Sequence, residues 1–135
     1  MMMTSRRFVA ALALVLLAAV LFAACGGGGG GGSSSSGYQE PKGPATETIA
    51  IQAGNFYFKP DTITASPGIA KITMTAANGI HDFVFDGAYP GFLLEADGGG
   101  GAQSKKIDLK PGKYTFYCDI PGHRAAGMQA DLVVS

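Results

Sequence analysis

The chain has 135 residues, ten basic and ten acidic, with 21 glycines, two cysteines, two histidines and no tryptophan. No basic patch stands out along it, which excludes nucleic acid as a partner. A Gly/Ser-dominated stretch near the start buries nothing, leaving about 90 residues for a core, enough for one small domain and no more.

Residues 1–24 have the form of a signal peptide: Arg6 and Arg7 make a positive start, and an apolar run follows from Phe8 to Ala24. That run falls just under the roughly 18 apolar residues of a membrane span. It ends in Ala23 and Ala24 before Cys25, and "LFAAC" resembles a bacterial lipobox, with Phe22 where that motif has Leu. The resemblance implies cleavage before Cys25 and lipidation of its thiol; an uncleaved anchor and ordinary secretion are the alternatives. "SRRFVA" is similar to a twin-arginine export signal with its Phe one place early, and an ordinary basic start fits better, so both export routes stay open. Loss of Arg6 and Arg7 leaves eight basic against ten acidic residues, a net charge of −2.

Residues 25–45 read as the lipidated Cys25 plus a flexible linker, first "GGGGGGGSSSSG" and then a Pro-containing stretch. Such a composition gains nothing from ordering, and it would hold a domain off a membrane while letting it turn.

Residues 46–135 read as an all-β domain, because short β-branched and aromatic runs recur between Gly, Pro, Asn and Asp. "ETIAIQA" places Ile49 and Ile51 on one face, and "NFYFKPDTITASPG" gives two short strands broken at Pro60. "IAKITMTAANG" alternates Ala70, Ile72, Met74 and Ala76 against Lys71, Thr73 and Thr75. "IHDFVFDG" puts His81, Phe83 and Phe85 on a common face. Residues 87–103 are expected to be a mobile loop with one short helical turn near Leu93 to Ala96. The run Gly98 to Gly101 lacks the Gly-Lys-Ser/Thr of a phosphate loop. "KKIDLKPGKYTFYC" gives a strand, a turn at Pro111-Gly112 and a second strand. The closing "MQADLVVS" aligns Met128, Ala130, Leu132 and Val134. Roughly seven to eight strands in this length make a Greek-key β-sandwich.

"YCDIPGHRAAGM" concentrates the metal-binding residue types. Tyr114, Phe116 and Cys118 share the core face of their strand, so Cys118 points inward at its end. Met128 heads the inward set of the last strand, His123 lies in the loop between, and His81 opens the inward face of its own strand. Taken singly, an inward Cys is a small hydrophobe, a strand His a rim residue and a strand-head Met part of the core. Here the chain's only two histidines, the domain's only cysteine and a methionine converge on one pole, which points to a metal. Two imidazoles, one thiolate and a weak thioether make the type 1 copper set, while structural zinc calls for several cysteines in CxxC-like spacing.

At these residues the chain resembles the cupredoxin family. "HDF" and "YCDIPGHRAAGM" are similar to the two halves of its copper motif, and "LKPGKYTFYC" is similar to its approach strand. The spacing Cys-x4-His-x4-Met is similar to that of auracyanin- and rusticyanin-like members, whereas plastocyanins have a shorter Cys-to-His gap. The resemblance implies a copper-binding sandwich and a one-electron carrier that is not an enzyme. It implies one type 1 copper held by His81, Cys118 and His123, with Met128 axial. Many relatives carry Asn or Ser where Asp82 stands; that carboxylate would still accept a backbone N–H while altering the potential, and Asp119 beside Cys118 would act similarly.

Pro121, Gly122, Ala125 and Ala126 form a small, largely apolar docking surface around His123. Arg124 is either an orienting charge within it or a solvated one. The expected partners are membrane-associated redox proteins (a cytochrome, an oxidase or a reductase), met by a monomer lipid-anchored on the extracytoplasmic side. The alternative is a copper-delivery lipoprotein. Multicopper oxidases and copper nitrite reductases need more histidines, and a dinuclear copper centre needs a second loop cysteine.

Overall fold

The computed structural model describes residues 37–135; the expected signal peptide, the lipidation site Cys25 and the chain up to residue 36 lie outside them. Nine strands run through the described residues, with no helix among them. They are β1 (Glu47–Gly54), β2 (Tyr57–Lys59), β3 (Thr62–Ala65), β4 (Gly68–Ala76), β5 (Ile80–Phe85), β6 (Leu94–Asp97), β7 (Gln103–Leu109), β8 (Gly112–Tyr117) and β9 (Gln129–Val134). One sheet has the order β2-β1-β4-β7 and the other β3-β9-β8-β5-β6.

The alternation of the sequence maps onto this sandwich. Ile49, Ile51 and Ala53 of β1 are buried alongside Ala70, Ile72 and Met74 of β4, in a parallel pairing that sets Ile49 beside Ile72 and Ile51 beside Met74. Pro60 ends β2 because proline supplies no ladder N–H. The chain then changes sheets, and β3 runs parallel to β9. Phe83 and Phe116 face each other across the second sheet's inner surface, stacked at 4.2 Å between centroids. Phe58 closes on Phe116 edge-on from the first sheet at 5.1 Å, and these rings fill the middle of the core.

In place of the expected helical turn near Leu93 to Ala96, the chain forms β6. Leu94 and Ala96 are buried while Glu95 and Asp97 are exposed, and the strand pairs antiparallel with β5. The pairing partner overrides a four-residue stretch of good helix formers, a tertiary effect that local propensity does not carry. The glycines that follow make a close approach: Gly98 N–H donates to the Gly79 carbonyl at 2.8 Å. A Cβ on Gly98 would lie 2.8 Å from the Asn78 backbone, so no side chain fits there. Beyond β6, the strands follow the expected order.

The stretch expected to be linker up to residue 45 makes specific contacts from Tyr38 onward. The Tyr38 ring meets Phe92 edge-on at 5.1 Å, and its hydroxyl donates to the Lys106 carbonyl at 3.1 Å. Glu40 accepts the Lys106 N–H at 2.9 Å, and the Lys106 ammonium returns a bond to the Gly43 carbonyl at 2.8 Å. Burial first, then the nearby charges of Glu40 and Asp108, push the Tyr38 phenol up to about 12, so the strap stays neutral at that point over the physiological range. A half-buried tyrosine and three hydrogen bonds are together worth about 2 kcal/mol. A chain begun at residue 46 should therefore melt roughly 8–16 °C lower than one begun at residue 37; equal melting temperatures would show that the strap adds nothing.

Candidate metal centre

The site forms where β5 begins, β8 ends and β9 begins. The antiparallel register pairs Val84 with Tyr117 and Phe85 with Phe116. Continued past the strand end, it sets Phe83 across from Cys118 and Asp82 across from Asp119. Tyr117 pairs with Gln129 on the other side, which brings Met128 beside Cys118. His81, Cys118 and Met128 are each fully buried, and His123 is half-exposed in the loop above them.

The loop's backbone ties these residues together. Cys118 N–H donates to the Met128 carbonyl and Met128 N–H to the His123 carbonyl, both at 3.1 Å. His123 N–H donates to the Ile120 carbonyl at 3.0 Å, and Gly127 N–H to that of Arg124 at 2.9 Å. The tight path uses left-handed backbone at Gly122 (φ 88°) and Gly127 (φ 101°), a conformation that glycine adopts without a Cβ clash.

Nitrogen and sulfur donor atoms of His81, Cys118 and His123 lie within 4.8 Å of one another, the one such group of metal-binding residues among the described residues. Cys118 Sγ is 3.4 Å from His123 Nδ1 and accepts the Asp82 N–H at 3.5 Å. Both ring nitrogens of His81 are buried with no hydrogen-bond partner among the described residues. A buried imidazole left unpaired costs free energy that a metal bond would offset. The donor set therefore fits a soft, one-electron metal, and it is closed on the protein side by Met128.

Asp82 is the second buried polar residue here, at 8% exposure, although strict alternation would turn it outward. Its Oδ1 accepts the Asp119 N–H at 2.5 Å, holding the first residue after Cys118 against β5. Asp119 itself is exposed. Pro121, Gly122, Ala125 and Ala126 are all exposed around His123. Arg124 turns back onto the protein: its Nη2 meets Asp86 Oδ2 at 2.6 Å, and its guanidinium lies over the Tyr117 ring at 4.0 Å.

The sequence reading did not single out Phe56, which meets the His123 ring edge-on at 4.9 Å and remains 44% exposed. Ile80, next to His81, is 50% exposed. Both are large apolar residues facing water beside histidines, and for Ile80 the opposite parity to buried His81 was the available signal.

Protonation at the site is set by burial. His81 is held below the usual 6.5, first by desolvation and then by the neighbouring His123. Desolvation pushes the Cys118 thiol above 9.0, partly opposed by backbone N–H groups of Asp82 and Ile120. In the metal-free protein the unfolded chain takes up the His81 proton first as pH falls, so stability drops below about pH 6.5. Above about pH 9 the unfolded chain sheds the Cys118 proton first, so stability drops again. Urea midpoints of the metal-free protein should peak between these limits, and Cys118→Ser should delay the alkaline decline to about pH 10, where the unfolded chain sheds the Tyr38 proton first; a flat profile would contradict both shifts.

A two-sheet sandwich that gathers two imidazoles, a thiol and a thioether at one pole defines a cupredoxin, the blue copper class. The sequence profile of copper binding proteins, plastocyanin/azurin family, matches residues 45–135, and the chain belongs to that family. It is 35% identical over 105 residues to a plastocyanin of Dryopteris crassirhizoma, across 64% of this chain and 95% of the plastocyanin. Its fold is similar to reduced auracyanin of Roseiflexus castenholzii, with TM-score 0.57 and 22% identity, across 68% of this chain and 99% of that one. Auracyanin A of Chloroflexus aurantiacus is similar at TM-score 0.53 and 18% identity, across 65% and 99%. Copper is thus the cofactor that family and donor set share.

Proposed function

We propose that this chain is a one-electron carrier with a single type 1 copper, serving redox proteins at a membrane. His81, Cys118 and His123 would hold the copper strongly, and the Met128 thioether would add a weaker contact. The observation that carries this reading is the convergence of His81, Cys118 and His123 within 4.8 Å at a pole lined by buried Met128. Bound copper supplies one-electron chemistry by cycling between Cu(II) and Cu(I). The protein's part is to keep donors acceptable to both states in one place, with water excluded from His81, Cys118 and Met128. In this reading no residue is catalytic, in keeping with a carrier family.

His123 is the half-exposed member of the set, and its exposed neighbours Pro121, Gly122, Ala125 and Ala126 are small. With Phe56 and Ile80 they make an apolar surface on which a cytochrome, oxidase or reductase could dock closely and leave quickly. The lipid anchor at Cys25, the signal peptide at residues 1–24 and an extracytoplasmic location belong to the same proposal. A tether raises the local concentration of carrier and partner.

Protein spanning residues 37–135 should take up one Cu(II), develop an intense thiolate-to-copper absorption with narrow copper hyperfine splitting, and be reduced reversibly with copper retained. A colourless or zinc-only product would overturn the assignment, and copper lost on each reduction would favour the delivery reading. For the anchor, detergent partitioning of the full chain should depend on Cys25; partitioning unchanged by Cys25→Ala would remove the lipid from the proposal.

A further inference from the structure

Arg124 follows His123 directly, and its side chain contacts β8, β9 and the residue that follows β5. Nη2 reaches Asp86 Oδ2 at 2.6 Å, immediately after β5, where Asp86 is itself fixed to β8 through the Thr115 carbonyl at 2.9 Å. Nε donates to Gln129 Oε1 at 3.2 Å, at the start of β9. The guanidinium plane covers Tyr117, the last residue of β8, at 4.0 Å. Tyr117 precedes Cys118 and Gln129 follows Met128, so two of the contacts lie one residue from a candidate ligand, and the third lies just past the far end of β5, the strand that bears His81.

From this arrangement we infer that Arg124 is a positioning residue: it staples the His123 loop to β5, β8 and β9 and so fixes the imidazole relative to the other donors. The inference rests on the ligand set proposed above. An isolated surface ion pair would do little, but this guanidinium combines two acceptors with an aromatic face. A planar, forked cation can stack on the ring while bonding both acceptors; a lysine ammonium has three donors but no plane or fork with which to hold all three contacts at once.

That difference supplies the test. Arg124→Lys keeps the charge and removes the fork, while Arg124→Gln and Asp86→Asn remove the ion pair. In copper-free protein, hydrogen exchange at the His123, Ala126 and Met128 amides should quicken by about three- to tenfold in all three variants. Amides of the distant β1–β4 pairing should not change. In copper-loaded protein, loss of Cu(I) to a chelator should quicken by a similar factor, with a broadened copper hyperfine pattern. The double variant Arg124→Gln/Asp86→Asn should be no worse than the worse single one, because both break one network. Wild-type exchange in Arg124→Lys, or fully additive single effects, would overturn the staple and leave Arg124 a plain surface charge. The copper-free exchange measurement decides the staple even if the wild type fails to turn blue, a failure that would instead strike the ligand assignment.

Discussion

Replacing Cys118 with Ser should abolish the intense absorption expected of the copper-loaded protein and lower copper affinity more than any other single change at this pole. The absorption arises from charge moving from sulfur to copper, and a serine hydroxyl offers no ionised soft donor to replace it. Loss of an outer partner of a metal ligand typically costs about 10–100-fold in affinity, and loss of the thiolate itself should exceed that range. The substitution is nearly isosteric at a fully buried position, so the fold should survive and the loss can be read as chemistry. Copper titration followed by absorption and by electron paramagnetic resonance checks it. A blue Cys118→Ser protein would remove Cys118 from the site.

Asp82→Asn should raise the reduction potential while leaving the absorption in place. The carboxylate is 8% exposed and holds the Asp119 N–H at 2.5 Å. An amide oxygen can keep that bond, so the substitution removes charge with little change of position. At an effective permittivity of about 20, two unit charges about 6–8 Å apart interact by roughly 2–3 kcal/mol, and a carboxylate on the residue whose N–H meets Cys118 Sγ would favour the more positive oxidised state by that order. At about 59 mV per tenfold for one electron, this corresponds to a rise of roughly 100 mV. Asp119 is exposed, so Asp119→Asn should move the potential less, by an amount that shrinks with added salt. Voltammetry of the two variants at low and high salt distinguishes them. An Asp82→Asn shift no larger than that of Asp119→Asn would mean the buried carboxylate does not tune the metal.

The parts of the molecule that follow a period were legible in the sequence. Ile72 and Met74 of β4, Phe83 and Phe85 of β5, and Leu132 and Val134 of β9 are all buried, as their spacing of two requires. The same parity brought Cys118, Met128 and His81 to one pole. What escaped is set by partners distant in the chain. β6 exists because β5 offers it a ladder, and "LLEAD" alone favours a helix. Asp82 breaks the alternation because its carboxylate finds Asp119 N–H, 37 residues away, a backbone bond that the family resemblance implied and the period of two did not. Arg124 reads as a free loop charge until Asp86, 38 residues upstream, is placed beside it. Tyr38 stands in a polar Pro/Gly context, and its contact with Lys106 spans 68 residues.

That last contact has a consequence for how the molecule behaves in a crowd. β7 is the outermost strand of its sheet, and an outermost strand offers unpaired amides and carbonyls on which another chain can add as a further strand. Tyr38 and Glu40 occupy both backbone groups of Lys106, at the middle of that open margin. The strap thus covers part of that margin, and a chain begun at residue 46 should associate with itself more readily than one begun at residue 37.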